Sequence, residues 1–118
     1  ADLSMRDRVA ARVAASGRKV TAINDSPGFV AQRMRAMVGN LGCYIAEIGL
    51  AEPSDIDLGL KLGLNYPLGP LEIVEDLGAR ATLAIMEHLQ AITGEDRYRP
   101  SLWLKRRALL DLPIHTPA

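Results

Sequence analysis

Between Phe29 and Gly49, apolar residues recur at helical spacing. Val30, Met34, Met37, Val38, Leu41, Ile45 and Ile48 step by four, three, one, three, four and three, the repeat of one helix face. Beside that stripe run smaller side chains, Ala36, Gly39, Cys43 and Ala46, spaced three, four and three. A seam of small residues lets another helix approach closely. The spacing fits either a neighbour within the chain or a contact with a second copy. The helix is preceded by Asp25-Ser26-Pro27-Gly28, where proline fixes φ and glycine frees it, so this stretch reads as a turn.

Upstream, Leu3, Met5, Val9 and Val13 fall at spacings of two, four and four, with Ala10, Ala11, Ala14 and Ala15 between them. This predicts a helix over 2–16, stopped by Gly17. Lys19 to Asn24 alternates and is β-branched, which predicts a short strand at 20–23. A lone strand cannot satisfy its own ladder hydrogen bonds. It therefore requires a sheet outside these residues, or a second copy.

Downstream, Pro53 breaks the chain and Ser54 is placed to cap a helix over 55–62, with Asp55 and Asp57 near its positive end and Gly63 after it. The two prolines and Gly69 keep 65–70 irregular. Short helices follow at Leu71–Leu77 and 80–92, the second with Leu83, Met86, Leu89 and Ile92 as its buried side. Ser101 caps a last helix to about Leu110, before a frayed end. The expected fold class is all-α, a compact helical domain of about five to six helices with one short N-terminal edge strand at 20–23.

Composition supports that class. The chain has 118 residues, enough for one domain with its own core. Aromatics make up only 4% against 48% hydrophobic residues, so the core is built from aliphatic side chains suited to helix packing. A single cysteine, Cys43, excludes an internal disulfide and a multi-cysteine zinc site. No apolar run approaches the roughly 20 residues of a membrane span. No secretory leader is visible either, so the expected location is cytoplasmic. Net charge is zero but segregated: +4 over 1–35, −8 over 36–96 and +4 over 97–118. A nucleic-acid binder is more often basic throughout. The basic ends are expected to fold against the acidic middle.

Stand-alone chemistry is not evident. His88 and His115 lie far apart in sequence, His88 on an expected solvated helix face and His115 in a loose tail. Cys43 sits in the small-residue seam with no base nearby, as a packed thiol would. There is no GxGxxG or Walker-type loop, so no dinucleotide or nucleotide site is expected in this chain. Asp55-x-Asp57-x-Gly59 superficially resembles a calcium loop, but Tyr66 stands where its closing Glu belongs. No metal site is expected. Lys105-Arg106-Arg107 reads as a solvated basic face.

Five blocks, in order, carry a resemblance. They are Asp25-Ser26-Pro27-Gly28-Phe29 with Gln32-Arg33; Glu47-Ile48-Gly49; Ser54-Asp55-Ile56-Asp57; Gly63-Leu64-Asn65-Tyr66-Pro67-Leu68-Gly69-Pro70-Leu71-Glu72; and Arg99-Pro100-Ser101. In these the chain resembles the C-terminal helical domain of the 3-hydroxyacyl-CoA dehydrogenase family over nearly its whole length. The resemblance implies a two-domain enzyme. An upstream Rossmann domain binds NAD and carries the catalytic His–Glu pair; the helical domain closes over the acyl-CoA and makes a homodimer. It implies that residues 1–24 are a linker helix and edge strand from the preceding region, and that 25–118 are the helical domain. It implies a piece of a longer protein, and the C-terminal end resembles the second copy in two-copy bacterial members, some of them similar to enzymes of phenylacetate or fatty-acid breakdown.

One departure bears on function. Where the family has an active-site Asn, this chain has Gln32, an amide one methylene longer. Glu75 replaces a usual Asp and keeps the carboxylate. Two readings follow from the resemblance. In the first, the chain is an enzyme module in which Gln32 touches the substrate's 3-oxygen while Tyr66 and Pro67 help to shape the acyl pocket. In the second, it is a degenerate duplicate serving as a structural or dimerisation brace. In either, the isolated chain is expected to be inactive, because it supplies neither the NAD site nor the base. Self-association is expected through the strand and the small-residue seam.

Overall fold

A computed structural model describes residues 2–117. The small residues of the long helix decide its packing. Six α-helices occur among the described residues: α1 Leu3–Ala14, α2 Ala31–Glu47, α3 Pro53–Leu64, α4 Pro70–Leu77, α5 Ala79–Thr93 and α6 Leu102–Leu110, with a single 3₁₀ turn at Asp96–Tyr98. Helices α3, α4, α5 and α6 all pack on α2. The tightest approach is that of α4. A Cβ at Gly42 would lie 2.3 Å from Pro70 Cβ, and one at Gly39 would lie 2.6 Å from Val74 Cγ2. Ala36 and Cys43 on the same side are fully buried. The seam is therefore an internal helix contact, and its alternative reading as a contact between copies is corrected.

The bulky stripe divides: Met37 and Ile45 pack against the core, while the rest of it turns outward. Met34, Leu41 and Ile48 are 54%, 59% and 53% exposed. The core is filled instead by large residues from the surrounding helices, Leu71, Val74, Leu83, Met86, Leu89, Trp103 and Leu104, which converge on α2's small side. Volume is conserved across such a contact when small faces large.

Buried polar groups fix how the helix ends meet. Asn40 on α2 accepts from Ser101 N (2.8 Å) and donates to Arg99 O (3.0 Å). Glu47 accepts from Leu102 N at 2.8 Å, and Ser101 Oγ accepts from Leu104 N at 3.2 Å. The N-terminus of α6 is thus held to α2 at both ends of two turns. Helix α4 starts after Gly69, which has no side chain to cap it. Asp57, 3% exposed, takes that role from α3 and accepts from Leu71 N at 2.8 Å. Gly69 has to be glycine, because a Cβ there would lie 2.3 Å from Asp57 Oδ1. Glu72 accepts from Gly69 N (2.7 Å) and Lys61 Nζ (2.6 Å); the hydrogen bond from Lys61, then that from Gly69, hold its carboxyl below the ordinary 4.5.

Several expectations are corrected. No strand forms at 20–23; these residues are exposed and make no ladder, since a β-branched run without a pairing strand has nowhere to place its backbone bonds. Helix α3 has Glu52 at its N-cap position, without a side-chain capping bond, and Pro53 as its first residue, so Ser54 lies inside the helix; it runs past Gly63 to a left-handed Asn65. Ile92 is exposed rather than buried. The tail is not frayed: Ile114 is buried, Trp103 Nε1 donates to Ile114 O (2.9 Å), Arg107 donates to Thr116 O, and His115 Nε2 lies 2.6 Å from Asp57 Oδ2.

Helix α1 has no substantial contact with the others, and Leu3, Met5, Val9 and Val13 are all exposed. The radius of gyration is accordingly 16.7 Å, against about 13–14 Å for a compact chain of this length. None of the helices described is long and apolar enough to cross a membrane.

The close α2–α4 contact sets a test with an internal control. Gly42→Ala is expected to lower stability by about 1–3 kcal/mol through overpacking, although Ala is the better helix former by about 1 kcal/mol. Gly59→Ala, on α3 with open space around it, is expected to raise stability by about 0.4–1 kcal/mol. Thermal and urea unfolding of both variants reads the two signs; a gain at Gly42 would show that α4 yields freely.

Candidate functional site

The turn before α2 is built from two consecutive residues in the left-handed region, Gly28 (φ 70°) and Phe29 (φ 48°). For an aromatic residue this costs about 1–3 kcal/mol, and such strain persists only where the surroundings enforce it. Here Phe29 N donates to Ser26 O (3.0 Å) and Arg33 N to Gly28 O (3.2 Å). The Arg33 guanidinium then ties the turn to the body. It donates to Ser26 Oγ (3.1 Å) and, through Nε and Nη2, to the Tyr98 hydroxyl (3.0 and 2.6 Å). Tyr98 is buried on the 3₁₀ turn that precedes α6.

Gln32 precedes Arg33 on the first turn of α2. With its neighbour anchored, Gln32 projects into a cleft of about 280 Å³ between the Pro27–Gly28 turn and one face of α5. That face presents Ala84, Ile85, His88, Leu89 and Ile92, at the i, i+1, i+4, i+5, i+8 spacing of a single helix side. The cleft is largely apolar, with an amide on one wall and an imidazole on the other. An amide N–H there can donate to an oxygen that gains negative charge.

The structure brings Gln32 and His88 into one cleft. His88 is solvent-exposed, as its sequence context predicts, but its helix face is not merely a solvated one. The signal was present in the apolar residues flanking it at helical spacing. Tyr66 and Pro67 do not line this cleft; they lie exposed in the loop between α3 and α4. A larger groove of about 670 Å³ runs along the outward face of α2, floored by Met34, Met37, Val38, Leu41 and Tyr44 and rimmed by Arg97, Arg99 and Lys105.

Other candidates have structural roles. Burial pushes the Cys43 thiol up to about 12, so at neutral pH it is a protonated packing group rather than a nucleophile. Arg107 is buried and stacks over the Trp103 ring, which corrects its assignment to a solvated basic face beside Lys105 and Arg106. Asp57 caps α4 rather than facing a cation. Among the described residues, no group of three or more His, Cys, Asp or Glu converges on a metal position. The N-termini of α4 and α6, where a pyrophosphate would bind, are filled by the chain's own Asp57, Glu47 and Ser101.

Comparison with known proteins is consistent with this geometry. The pattern of the family described as 3-hydroxyacyl-CoA dehydrogenase, C-terminal domain, matches residues 28–112. A 3-hydroxyadipyl-CoA dehydrogenase of Escherichia coli is 42% identical over 95 residues, covering 80% of this chain and 20% of the relative. A probable 3-hydroxybutyryl-CoA dehydrogenase of Deinococcus radiodurans is 41% identical over 90 residues, covering 76% and 32%. The crystal structure of (S)-3-hydroxybutyryl-CoA dehydrogenase from Ralstonia eutropha superposes with a TM-score of 0.87 at 28% identity, over 95% of this chain and 42% of that one. The chain thus spans a fifth to a third of the length of these two curated relatives.

The Arg33 anchor is testable. Tyr98→Phe removes the acceptor for two Arg33 N–H groups and is expected to cost about 1–3 kcal/mol. Amide hydrogen exchange over 26–33 should accelerate, while exchange in α4 stays close to that of the parent. Unaltered protection at 26–33 would mean that the turn does not depend on this contact.

Proposed function

Because the chain belongs to the 3-hydroxyacyl-CoA dehydrogenase family through its C-terminal domain, we propose that it is the helical module of an NAD-dependent enzyme that oxidises 3-hydroxyacyl-CoA to 3-oxoacyl-CoA. The observation that carries this reading is the position of Gln32, held by the Arg33–Tyr98 anchor at an apolar cleft. In the reaction the 3-hydroxyl loses its proton and C3 its hydride. The groups that receive them belong to a preceding Rossmann domain of the same polypeptide, as does NAD. What this chain contributes is binding and orientation. The Gln32 amide N–H donates to the 3-oxygen as negative charge builds there, and the cleft wall excludes water from the acyl chain.

A second reading keeps the fold without the chemistry. The longer amide of Gln32 in place of Asn favours it, since a displacement of about 1 Å can cost about a hundredfold in rate. On this reading the chain braces a first copy.

The two readings part in the full-length polypeptide. Gln32→Ala is expected to lower kcat by about a hundredfold or more, with the isolated chain showing no turnover of acetoacetyl-CoA and NADH. Unchanged kinetics would leave the brace as the function.

For the proposed homodimer, the strand is absent and the seam is internal. The outward face of α2, with Met34, Leu41, Tyr44 and Ile48 exposed, is the surface that supports association. Leu41→Glu is expected to convert a dimer to a monomer in light scattering without unfolding it. A dimer of unchanged mass would move the interface elsewhere.

A further inference from the structure

Resting on the enzyme reading above, we propose that the cleft between Gln32 and His88 holds the substrate's acyl chain, and that His88 selects chains ending in a carboxylate over chains ending in a methyl. The α5 wall from Ala84 to Ile92 runs about 12 Å along the helix, and His88 lies midway on it. On that wall Ala84, Ile85, Leu89 and Ile92 present only hydrocarbon. They gain from contact with any alkyl chain and do not distinguish its end. In such a pocket, orientation and selectivity come from the few polar groups placed in the apolar lining.

Two side chains lining the cleft, Gln32 and His88, carry groups able to hydrogen-bond a substrate, and their duties differ. Gln32 sits on the first turn of α2, next to the anchored Arg33, where a neutral amide suits the oxygen at C3. His88 faces it from the opposite wall on a separate helix, one turn from Ala84 and one from Ile92. An imidazole so placed does nothing for a methyl terminus except crowd and desolvate. To a terminal carboxylate it donates a charge-assisted hydrogen bond, which is shorter and stronger than a neutral one. His88 is exposed, so a methyl-ended chain leaves its N–H to water, and the discrimination comes from the added bond to the carboxylate and not from a stranded polar group. The exposure of His88 lets a terminal carboxylate keep part of its hydration, so binding it does not require burying a bare charge.

The test uses the full-length polypeptide and two probes of equal chain length, 3-hydroxyhexanoyl-CoA and the analogue in which its terminal methyl is replaced by a carboxylate. The readout is the ratio of kcat/KM for the carboxylated over the methyl-ended probe. His88→Leu is expected to lower that ratio about tenfold or more, chiefly through KM, and His88→Asn, which keeps an N–H donor, to restore part of it. Gln32→Ala is measured alongside and is expected to lower kcat for both probes without changing the ratio. A ratio unmoved by His88→Leu, with Gln32→Ala still impaired on both probes, overturns the role of His88 and leaves the enzyme reading standing. A Gln32→Ala protein with parental kinetics on both probes overturns the enzyme reading itself, and the inference with it.

Discussion

The contact between α2 and α4 is the constraint from which the rest of the domain follows. Pro70 and Val74 sit where the Cβ atoms of Gly42 and Gly39 would be, so the two helices meet at backbone distance. This closeness leaves α2 with one side too shallow to carry a core alone. The large residues therefore come from α4, α5 and α6, and α2 becomes the post around which they stand. It also leaves Met34, Leu41, Tyr44 and Ile48 of α2 outward, which is why the domain presents a long apolar face to whatever lies beside it.

Helices this short are marginal without packing and without partners for their terminal groups. The domain supplies those partners across elements rather than within them. Asp57 on α3 caps α4; Asn40 and Glu47 on α2 hold the start of α6; the tail returns to Asp57 through His115 and to Trp103 and Arg107 through its carbonyls. Asp57, Asn40 and Ser101 are polar groups removed from water and matched. Removing one partner strands the other, which costs more than the bond contributes. The acidic middle of the sequence is thus partly explained by capping. Several of its carboxylates complete helix ends instead of forming a field for a ligand.

The candidate site depends on the same economy of anchoring. A strained Gly28–Phe29 turn survives because Arg33 reaches both Ser26 and the buried Tyr98 hydroxyl. That anchor sets the direction of Gln32, and α5, packed on α2, sets the opposite wall of the cleft. The polar pair in the cleft is therefore positioned by the helix core and not by a flexible loop. The apolar faces of α1 and α2, and the exposed Phe29, are surfaces that a larger polypeptide would cover.

The helices themselves were legible in sequence, because their period, their prolines and their glycine stops are local properties. All six lie within about two residues of the expected bounds, and Ser101 caps α6 as expected. The ordered motifs also identified the family, since each block answers a local backbone demand. Which face of α2 is buried was not legible. A small-residue seam and a bulky stripe are both apolar, and only the arrival of Pro70 and Val74 decides between them. Nor was the strand at 20–23 refuted by its own residues, since β pairing depends on a partner that the local pattern cannot supply. Arg107 read as part of a solvated basic face and Asp57 as an acidic residue near the start of its own helix until helices distant in sequence were placed against them, and Asn40 carried no local signal of its role. His88 joined Gln32 for the same reason: 56 residues apart in the chain, they share a cleft only because α5 packs across α2. Local propensity and pattern are carried by the sequence; burial, capping between elements and the meeting of two polar groups are properties of packing, and the tertiary structure alone decides them.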